Sequence, residues 1–409
     1  MALVKPFSAF RPRKDIVSQV AALPYDVYNR AEACQVVKGN PYTFLRIDRA
    51  ETQFDDSVDT YAPCVYQKAK ELLDGMISNG EYIKEQQDVY YIYELIMDGR
   101  HQTGIVACAS IDDYQNGIIK KHENTRADKE IDRITHVDVC NAQTGPIFLA
   151  YRAVKKIDSI VDRIKSTEAE YSFVSEDGIG HNVWVIKDSA DIEIVRSAFS
   201  NMNDIYIADG HHRAASAVKV GLKRRDENGG VGELESDMFL SVLFPDNQLK
   251  ILPYNRVVRD LNGYSKEDFL TKVSECFDIE QISAPFQPVE KCTFGMYLDN
   301  IWYKLKAKDE IKSNDPVAGL DVSVLQDNLL NPILGIEDPR VDKRIDFVGG
   351  IRGLSELERR VAEDMTVAFS MYPTSIEELF DVADAGLLMP PKSTWFEPKL
   401  RSGIFIHKL

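Results

Sequence analysis

The sequence lacks several patterns that mark familiar classes of protein. It has no uninterrupted apolar run near the roughly 20 residues that cross a bilayer, and its first residues, Met1 to Phe7, lack the apolar stretch of a secretory signal. We therefore expect a cytoplasmic protein with no membrane partner. The six cysteines are widely spaced with no C-x-x-C pair, which argues against a zinc ribbon or a thioredoxin-like redox motif. Neither a G-x-G-x-x-G nor a G-x-x-x-x-G-K-[ST] phosphate loop occurs, and no G-x-S-x-G elbow marks a hydrolytic serine.

Positive charge is also in short supply. The 49 lysines and arginines are outnumbered by 65 aspartates and glutamates, so the net charge is −16. Because nonspecific nucleic-acid affinity depends on a basic surface, this balance argues against a nucleic-acid partner. A local basic site for one small anion remains compatible with it.

The length and the order of patterns indicate a globular α+β protein. With 409 residues, of which 44% are hydrophobic, the chain is long enough for two or three domains with their own cores. We expect mixed sheets and a mainly helical C-terminal part, and not a doubly wound sheet. The predicted domains are an N-terminal α+β domain at 1–115, a core domain at 116–260 and a C-terminal α+β domain at 261–409.

Several elements can be assigned from local patterns. Val89 to Met97 and Thr103 to Ile111 predict a hairpin, because Asp98-Gly99 is a strong turn signal between two β-rich runs. Met238 to Phe244 and Lys250 to Val258 are interpreted as a strand pair. Apolar periodicity predicts a helix from Leu354 to Phe369.

The most informative stretch runs from Asp204 to Val220. Ile205 to Ala208 predicts a short buried strand, and the alanine-rich sequence from Arg213 to Val220 predicts a helix, with Gly210 as the break. Amides in the first turn of a helix have no partner inside the helix, so this junction, with Arg213 beside it, favours an anion such as phosphate. His211 and His212 can bind, orient or transfer protons there. Adjacent histidines seldom reach one metal ion, so we predict no resident metal site.

Two further segments bring polar groups to a loop or helix start. Lys120 to Asp128 combines bases, acids and hydrogen-bonding groups, and Asn141 follows it before a buried strand; a solvated helix start is the alternative interpretation. Met389 to Thr394 is a loop stiffened by two prolines, and Lys392 within it and Lys399 after it suit the charge of a phosphate. The alternative interpretation is a structural loop held by aromatic packing. Two lesser polar tips are explained by structural turns: Tyr25-Asp26 and Asn255-Arg256.

These motifs resemble those of known families. Asp209-Gly210-His211-His212-Arg213 is similar to the signature of the ParB/sulfiredoxin-like superfamily, and most of all to its free-serine kinases, in which such a segment opens a helix at the nucleotide phosphates. Over nearly its whole length the chain also resembles the bacterial and archaeal family called domain of unknown function 1015. Three segments carry that resemblance: His122 to Thr125, Ala208 to Arg213 and Met389 to Thr394.

The resemblance implies a ParB/sulfiredoxin-like core and a set of roles. Asp209 would lie next to the transferred phosphate, with Glu123 as general base, so that the catalytic residues would be Asp209, Glu123, His211 and His212. The nucleotide or phosphate would be held by Gly210, His211, His212, Arg213, Lys392, Ser393 and Thr394. The substrate would contact His122, Thr125, Arg126 and Asn141.

The function implied is nucleotide-dependent phosphoryl transfer to or from a small hydroxyl metabolite, with free serine or phosphoserine as the suggested substrate. ADP or ATP would be the cofactor, and Mg²⁺ would arrive with it. The absence of a cysteine at Gly210 to His212 argues against sulfinic-acid repair. A nucleotide-binding regulatory module without turnover and a phosphoserine phosphatase stay open as alternatives, as does assembly into a homo-oligomer.

Overall fold

The computed structural model describes residues 1–125, 127–230 and 233–409. The chain forms two compact units. The first contains residues 1–249 together with the C-terminal segment 398–409, and the second contains residues 250–397. Each unit has its own sheet and core.

The helices and strands alternate irregularly along the chain. The α-helices are α1 (Val17–Val20), α2 (Arg30–Gly39), α3 (Leu45–Asp48), α4 (Pro63–Ser78), α5 (Ile111–Gln115), α6 (Ala127–Cys140), α7 (Lys155–Lys165), α8 (Ser189–Ser200), α9 (His211–Glu227), α10 (Lys266–Cys276), α11 (Asp321–Leu325), α12 (Leu354–Glu363) and α13 (Ile376–Asp384). The strands are β1 (Val4–Lys5), β2 (Phe10–Pro12), β3 (Tyr82–Lys84), β4 (Tyr90–Met97), β5 (Arg100–Ser110), β6 (Ile119–Lys120), β7 (Ala142–Gln143), β8 (Ile147–Tyr151), β9 (Tyr171–Val174), β10 (Gly180–Ile186), β11 (Ile205–Asp209), β12 (Met238–Pro245), β13 (Ile251–Leu252), β14 (Tyr254–Val258), β15 (Phe277–Ile282), β16 (Thr293–Leu298), β17 (Ile301–Ala307), β18 (Ile345–Gly349), β19 (Val367–Ser370), β20 (Trp395–Phe396) and β21 (His407–Lys408).

A mixed sheet forms the centre of the first unit. Its order in the described chain is β6-β11-β8-β12-β5-β4-β10-β9, with β1 added to β5. The pairs β11/β6 and β12/β8 are parallel, whereas β4/β5 and the remaining pairs are antiparallel. The predicted hairpin across Asp98-Gly99 is confirmed as β4 and β5. The sheet takes strands from both sides of residue 115, where the sequence analysis places a domain boundary.

Two apolar clusters cover the first unit. One consists of sheet residues such as Ile92, Leu149 and Ile207 with Val195 and Phe199 of α8. The other gathers the helices of the first 80 residues around α4 and is closed by Ile406 of the C-terminal segment. Removal of the apolar side chains of these two clusters from water is the main source of stability in such a unit.

The second unit is built on an antiparallel sheet whose order is β15-β17-β16-β19-β14-β18. The predicted pairing of Met238 to Phe244 with Lys250 to Val258 is wrong, because β12 belongs to the sheet of the first unit and β14 pairs with β18 and β19. The predicted helix from Leu354 ends at Glu363, and the residues after it form β19 because Val367 and Phe369 fill central sheet positions.

The α+β class predicted from the sequence is confirmed by these mixed and antiparallel sheets. In the ranges that the structure covers, none of the helices combines the length and the apolar character needed to pass through a bilayer.

Candidate functional site

The predicted strand-to-helix junction lies between β11 and α9. A β-bulge interrupts β11 between Ile207 and Asp209, and such bulges redirect the side chains beside them. Gly210 follows with φ +89°, a left-handed conformation that glycine adopts without a Cβ penalty. The helix then begins at His211, two residues before the predicted start, and Gly210 provides no side chain to cap it. The first-turn amides of α9 have no acceptor within their own helix, and a helix start of this kind favours an anion.

Asp209 is held in its ionised form. Its Oδ1 accepts a hydrogen bond from the Gly210 N–H at 2.7 Å, and its Oδ2 lies 3.0 Å from Nζ of Lys399, which comes from the C-terminal segment of the same unit. Burial alone would raise the pKa of this carboxyl, but the charges of Lys399 and Arg213, together with the two hydrogen bonds, lower it below its ordinary value. A group of this kind stays negative throughout the neutral range.

Arg213 folds back over the start of its own helix. Its Nη1 donates to the Pro146 carbonyl at 2.8 Å, and a Cβ placed on Gly210 would lie 3.2 Å from its Nε. One carbonyl uses only part of the five N–H donors of a guanidinium. Arg213 therefore adds a fixed positive charge to the helix start.

Three side chains from two segments meet beside Asp209. The rings of His122 and His211 are edge to face with centroids 4.5 Å apart, and Oε2 of Glu123 lies 3.8 Å from Nδ1 of His211. Both histidines are buried, and Nε2 of His211 has no hydrogen-bond partner among the described residues. Burial lowers the pKa of His122 to about 4, and burial together with His122 lowers the pKa of His211 well below its ordinary value, so both rings are neutral at pH 7.

Glu123 is the carboxylate of this group that reaches solvent, with 43% of its side chain exposed. Its distance to the neutral His211 is beyond that of a hydrogen bond. The structure thus brings His122 and Glu123 of the second predicted segment to His211 of the first.

Thr125 and His212 have partners of their own near α9. Thr125 donates to Glu130, which also pairs with Lys219, two turns into the helix. His212 is half-buried, and its carbonyl accepts a hydrogen bond from the Ser216 hydroxyl at 2.7 Å. Arg126, predicted to contact substrate, lies outside the described residues.

Asn141 occupies a different part of the unit from the one predicted for it. Its Nδ2 donates to the Leu409 carbonyl at 2.7 Å, and its Oδ1 accepts from Nη1 of Arg224 at 2.6 Å. Arg224 is 13 residues after His211, roughly 20 Å further along the helix. Asn141 therefore joins Leu409 to the far end of α9 through one donated and one accepted hydrogen bond.

Lys392, Ser393 and Thr394 belong to the second unit. The Ser393 hydroxyl donates to the Pro390 carbonyl at 2.7 Å, and the Ser393 carbonyl accepts from Thr374. The Lys392 ammonium lies 5.4 Å from the ring centre of Tyr254. Their assignment to the nucleotide stays a prediction.

The first unit also contains a polar cavity of about 280 Å³ between its N-terminal helices and α6. Four of its lining residues also line a smaller cavity of about 30 Å³ that reaches Arg213 and Gly145: Tyr25, Asp48, Arg133 and His136. A void of the smaller size holds about one water molecule. The larger cavity therefore adjoins the start of α9.

Charges of both signs line this cavity. Asp48 is 5% exposed, accepts a hydrogen bond from the Thr144 hydroxyl at 3.0 Å, and forms no ion pair with any described residue. Arg133 stacks 4.0 Å from the ring centre of Tyr25 and donates to Asp132 from Nε and Nη2. A buried carboxylate and a buried guanidinium at one cavity suit a ligand that itself carries both charges.

These residues could not be recognised from the sequence. Tyr25-Asp26 has the pattern of a structural turn, and Asp48 and Arg133 carry no local motif. A signal lies in α6, where Asp132, Arg133 and His136 are spaced so that they form one buried polar face.

Comparisons with solved structures return distant likenesses. A C-terminally truncated SbnI from Staphylococcus aureus is 11% identical with a TM-score of 0.38, covering 72% of this chain and 85% of that one. A mutant free serine kinase in complex with ADP is 14% identical with a TM-score of 0.34, covering 73% and 92%. A conserved hypothetical protein from Pyrococcus furiosus is also 14% identical with a TM-score of 0.34, covering 74% and 94%.

A comparison with curated proteins returns no match. A family model described as protein of unknown function, DUF1015, matches residues 4–323, which is most of the chain. The chain belongs to this family.

Proposed function

We propose that the first unit transfers a phosphoryl group between a nucleotide and a small hydroxyl metabolite, with free serine as the acceptor suggested by the sequence motifs. The observation that carries the proposal is the set of charges around the uncapped start of α9: Arg213 lies over Gly210, Lys399 pairs with Asp209, and the Glu123 carboxylate lies beside His211. Phosphoryl transfer needs positioning and charge neutralisation more than covalent help. These groups offer both.

The phosphate end of the nucleotide fits the start of α9. The first-turn amides and Arg213 present hydrogen-bond donors and positive charge there. Asp209 keeps Lys399 in place through its ion pair and does not itself need to meet the phosphate. Mg²⁺ prefers phosphate oxygens and water to an all-protein cage, so we expect it to be bound with the nucleotide.

Glu123 suits the general-base role better than Asp209. The Asp209 carboxyl has a lowered pKa and both of its oxygens are engaged, so it is a poor proton acceptor. Glu123 is partly exposed beside the neutral His211. In the forward reaction the acceptor oxygen bonds to phosphorus, the phosphoanhydride bond breaks, and Glu123 takes the hydroxyl proton.

The cavity at Asp48 and Arg133 is where we place the acceptor. Free serine carries an ammonium and a carboxylate, which match the unpaired Asp48 carboxylate and the Arg133 guanidinium. Four of its lining residues also line the smaller cavity at Arg213, so the acceptor would lie next to the phosphate end of the nucleotide.

The direct test is turnover. Protein is incubated with ATP or ADP, Mg²⁺ and serine, and phosphoserine is measured by mass spectrometry. Glu123→Gln should lower kcat by a factor of about 100 or more while ADP affinity is retained, since general-base catalysis contributes that much. Glu193→Gln is the matched control, because it is an exposed glutamate on α8.

Two variants distinguish the nucleotide subsite from the acceptor subsite. Arg213→Gln should weaken ADP binding at least tenfold, whereas Asp48→Asn should raise KM for serine and leave ADP affinity unchanged. Nucleotide binding without turnover in either direction would favour the regulatory module. Phosphate release from phosphoserine without nucleotide would favour the phosphatase, and the absence of both binding and turnover would refute the proposal.

A further inference from the structure

A buried arginine without an acidic partner lies in the second unit. Arg256 is on β14 and is 3% exposed. A buried guanidinium is normally paired with a carboxylate, because leaving water costs a charge much of its solvation. No described aspartate or glutamate forms an ion pair with Arg256, and its hydrogen bonds go to two neutral carbonyls, those of Tyr254 and Lys392.

The positive charge of Arg256 therefore remains uncompensated. Burial lowers its pKa to about 10, which still leaves it protonated at pH 7. The guanidinium carbon lies 5.5 Å from the ring centre of Phe347, its cross-strand neighbour on β18. That contact holds the group in place and leaves its charge unneutralised.

Arg256 also lines a cleft of about 460 Å³ that is formed wholly within the second unit. Its other walls are mainly apolar, with Phe347, Ile345, Leu330 and the two prolines at 390 and 391. The size is that of a site for a small organic molecule.

The other charged residues of the cleft do not neutralise the Arg256 guanidinium. Arg340 and Asp338 pair with each other, with Nη2 2.7 Å from Oδ2, so their charges largely cancel. Glu337 is exposed, and solvent screens its charge. Arg256 is thus the buried, unbalanced charge of the lining.

We propose that this cleft binds a small organic anion, with a carboxylate or phosphate group at Arg256 and an apolar body against Phe347 and the proline pair. Its lining residues all belong to the second unit, and binding there does not require phosphoryl transfer at α9. The Lys392 carbonyl, which accepts from Arg256 at 3.1 Å, links the anion site to the Met389 to Thr394 loop.

Calorimetric titration of the full chain tests the proposal with three probes: phenyl phosphate, benzoate and inorganic phosphate. We expect at least one organic anion to bind, more tightly than inorganic phosphate, and Arg256→Gln to weaken that binding at least tenfold. Arg359→Gln, at an exposed arginine of α12 that does not line the cleft, is the control and should leave it unchanged. Binding of neither organic anion, equal binding of inorganic phosphate, or unchanged affinity in Arg256→Gln would overturn the proposal.

Hydrogen exchange of the unmodified protein gives a second test that does not depend on the folding of a variant. The bound organic anion should slow exchange of amides in β18 and in residues 389–394. Protection confined to residues 204–215 would mean that the anion occupies the start of α9, and would equally overturn the proposal. This readout is independent of turnover with serine.

Discussion

His122 and His211 are packed edge to face in the interior, with ring centroids 4.5 Å apart and planes at 88°. Two imidazoles at this distance cannot both be charged without strong repulsion, and burial disfavours the charged form of each. Burial is the largest cause of the lowered pKa of both. Both rings are therefore neutral at pH 7, and protonation of either one opposes folding.

The first prediction concerns acid stability. The folded-state pKa of His122 is about 4 against an ordinary value of 6.5. Between these values the unfolded chain binds a proton that the folded chain does not, so stability is full above pH 6.5 and falls as the pH decreases toward 4. At about 1.4 kcal/mol per pH unit, His122 alone accounts for about 3 kcal/mol of that loss.

Urea unfolding from pH 7 to pH 4 measures this loss. His122→Gln should flatten the pH dependence by about one proton, while His101→Gln, at a half-exposed histidine, should leave the fall in place. Asp209 contributes little to the change in stability over this pH range. Its carboxyl pKa is lowered in the folded protein, so its effect on stability lies mainly below pH 3.8, the ordinary pKa of an aspartate. An unchanged slope in His122→Gln would show that its ring is not buried in the neutral form.

The second prediction uses a matched pair of glycines. Gly210 and Gly117 have φ of +89° and +74°, so alanine at either position costs about 1–2 kcal/mol of backbone strain. A Cβ at Gly210 lies 3.2 Å from Nε of Arg213, whereas a Cβ at Gly117 meets no described atom within 4 Å. Chemical denaturation should show similar losses, but only Gly210→Ala should weaken ADP binding, at least tenfold. Equal ADP affinities would argue against a phosphate site over Gly210.

The features that could be predicted from the sequence are those encoded locally. Asp98 and Gly99 both have positive φ, as the turn signal requires. Gly210 separates β11 from α9 at the point where the composition of the sequence changes. The alanine-rich run after it forms a helix because alanine has the highest helix propensity. Local chemistry decides such features before any long-range contact forms.

Features that depend on distant contacts could not be predicted in this way. Lys399 meets Asp209 across 190 residues of sequence, and no spacing pattern encodes that pair. In α6 the apolar Ile131 is 65% exposed while the neighbouring Asp132 and Arg133 are buried, the reverse of the usual helical pattern. Because the buried face of α6 lines a polar cavity, the apolar periodicity of the sequence predicts the wrong face of the helix as buried.

The third prediction concerns Lys399. Lys399→Met leaves the Asp209 carboxylate without its ammonium partner, and its negative charge then opposes a bound phosphate. ADP affinity should fall about tenfold, which is about 1.4 kcal/mol. Stability should fall by less than 1 kcal/mol, because 36% of the Asp209 side chain is exposed and solvent screens the pair.

The control is Lys408→Met. Lys408 is in the same C-terminal segment as Lys399 and pairs with Asp74, so its loss should leave ADP affinity unchanged. Loss of affinity in both variants would point instead to displacement of the whole segment.

The fourth prediction separates the structural role of Asn141 from the substrate contact that its position in the sequence suggests. Its side chain joins the Leu409 carbonyl to Arg224, and its own φ is +50°. Asn141→Ala should therefore lower the free energy of unfolding by about 1–3 kcal/mol, through two lost hydrogen bonds and backbone strain.

Asn141→Gly removes the same hydrogen bonds without the strain, so it should lose about 1 kcal/mol less than Asn141→Ala. Because its partner Arg224 lies roughly 20 Å along α9 from His211, both variants should keep the wild-type KM for serine and the wild-type ADP affinity at temperatures where they are folded. A folded variant with a raised KM would place substrate at the far end of the helix. It would thereby move the acceptor site away from Asp48 and Arg133.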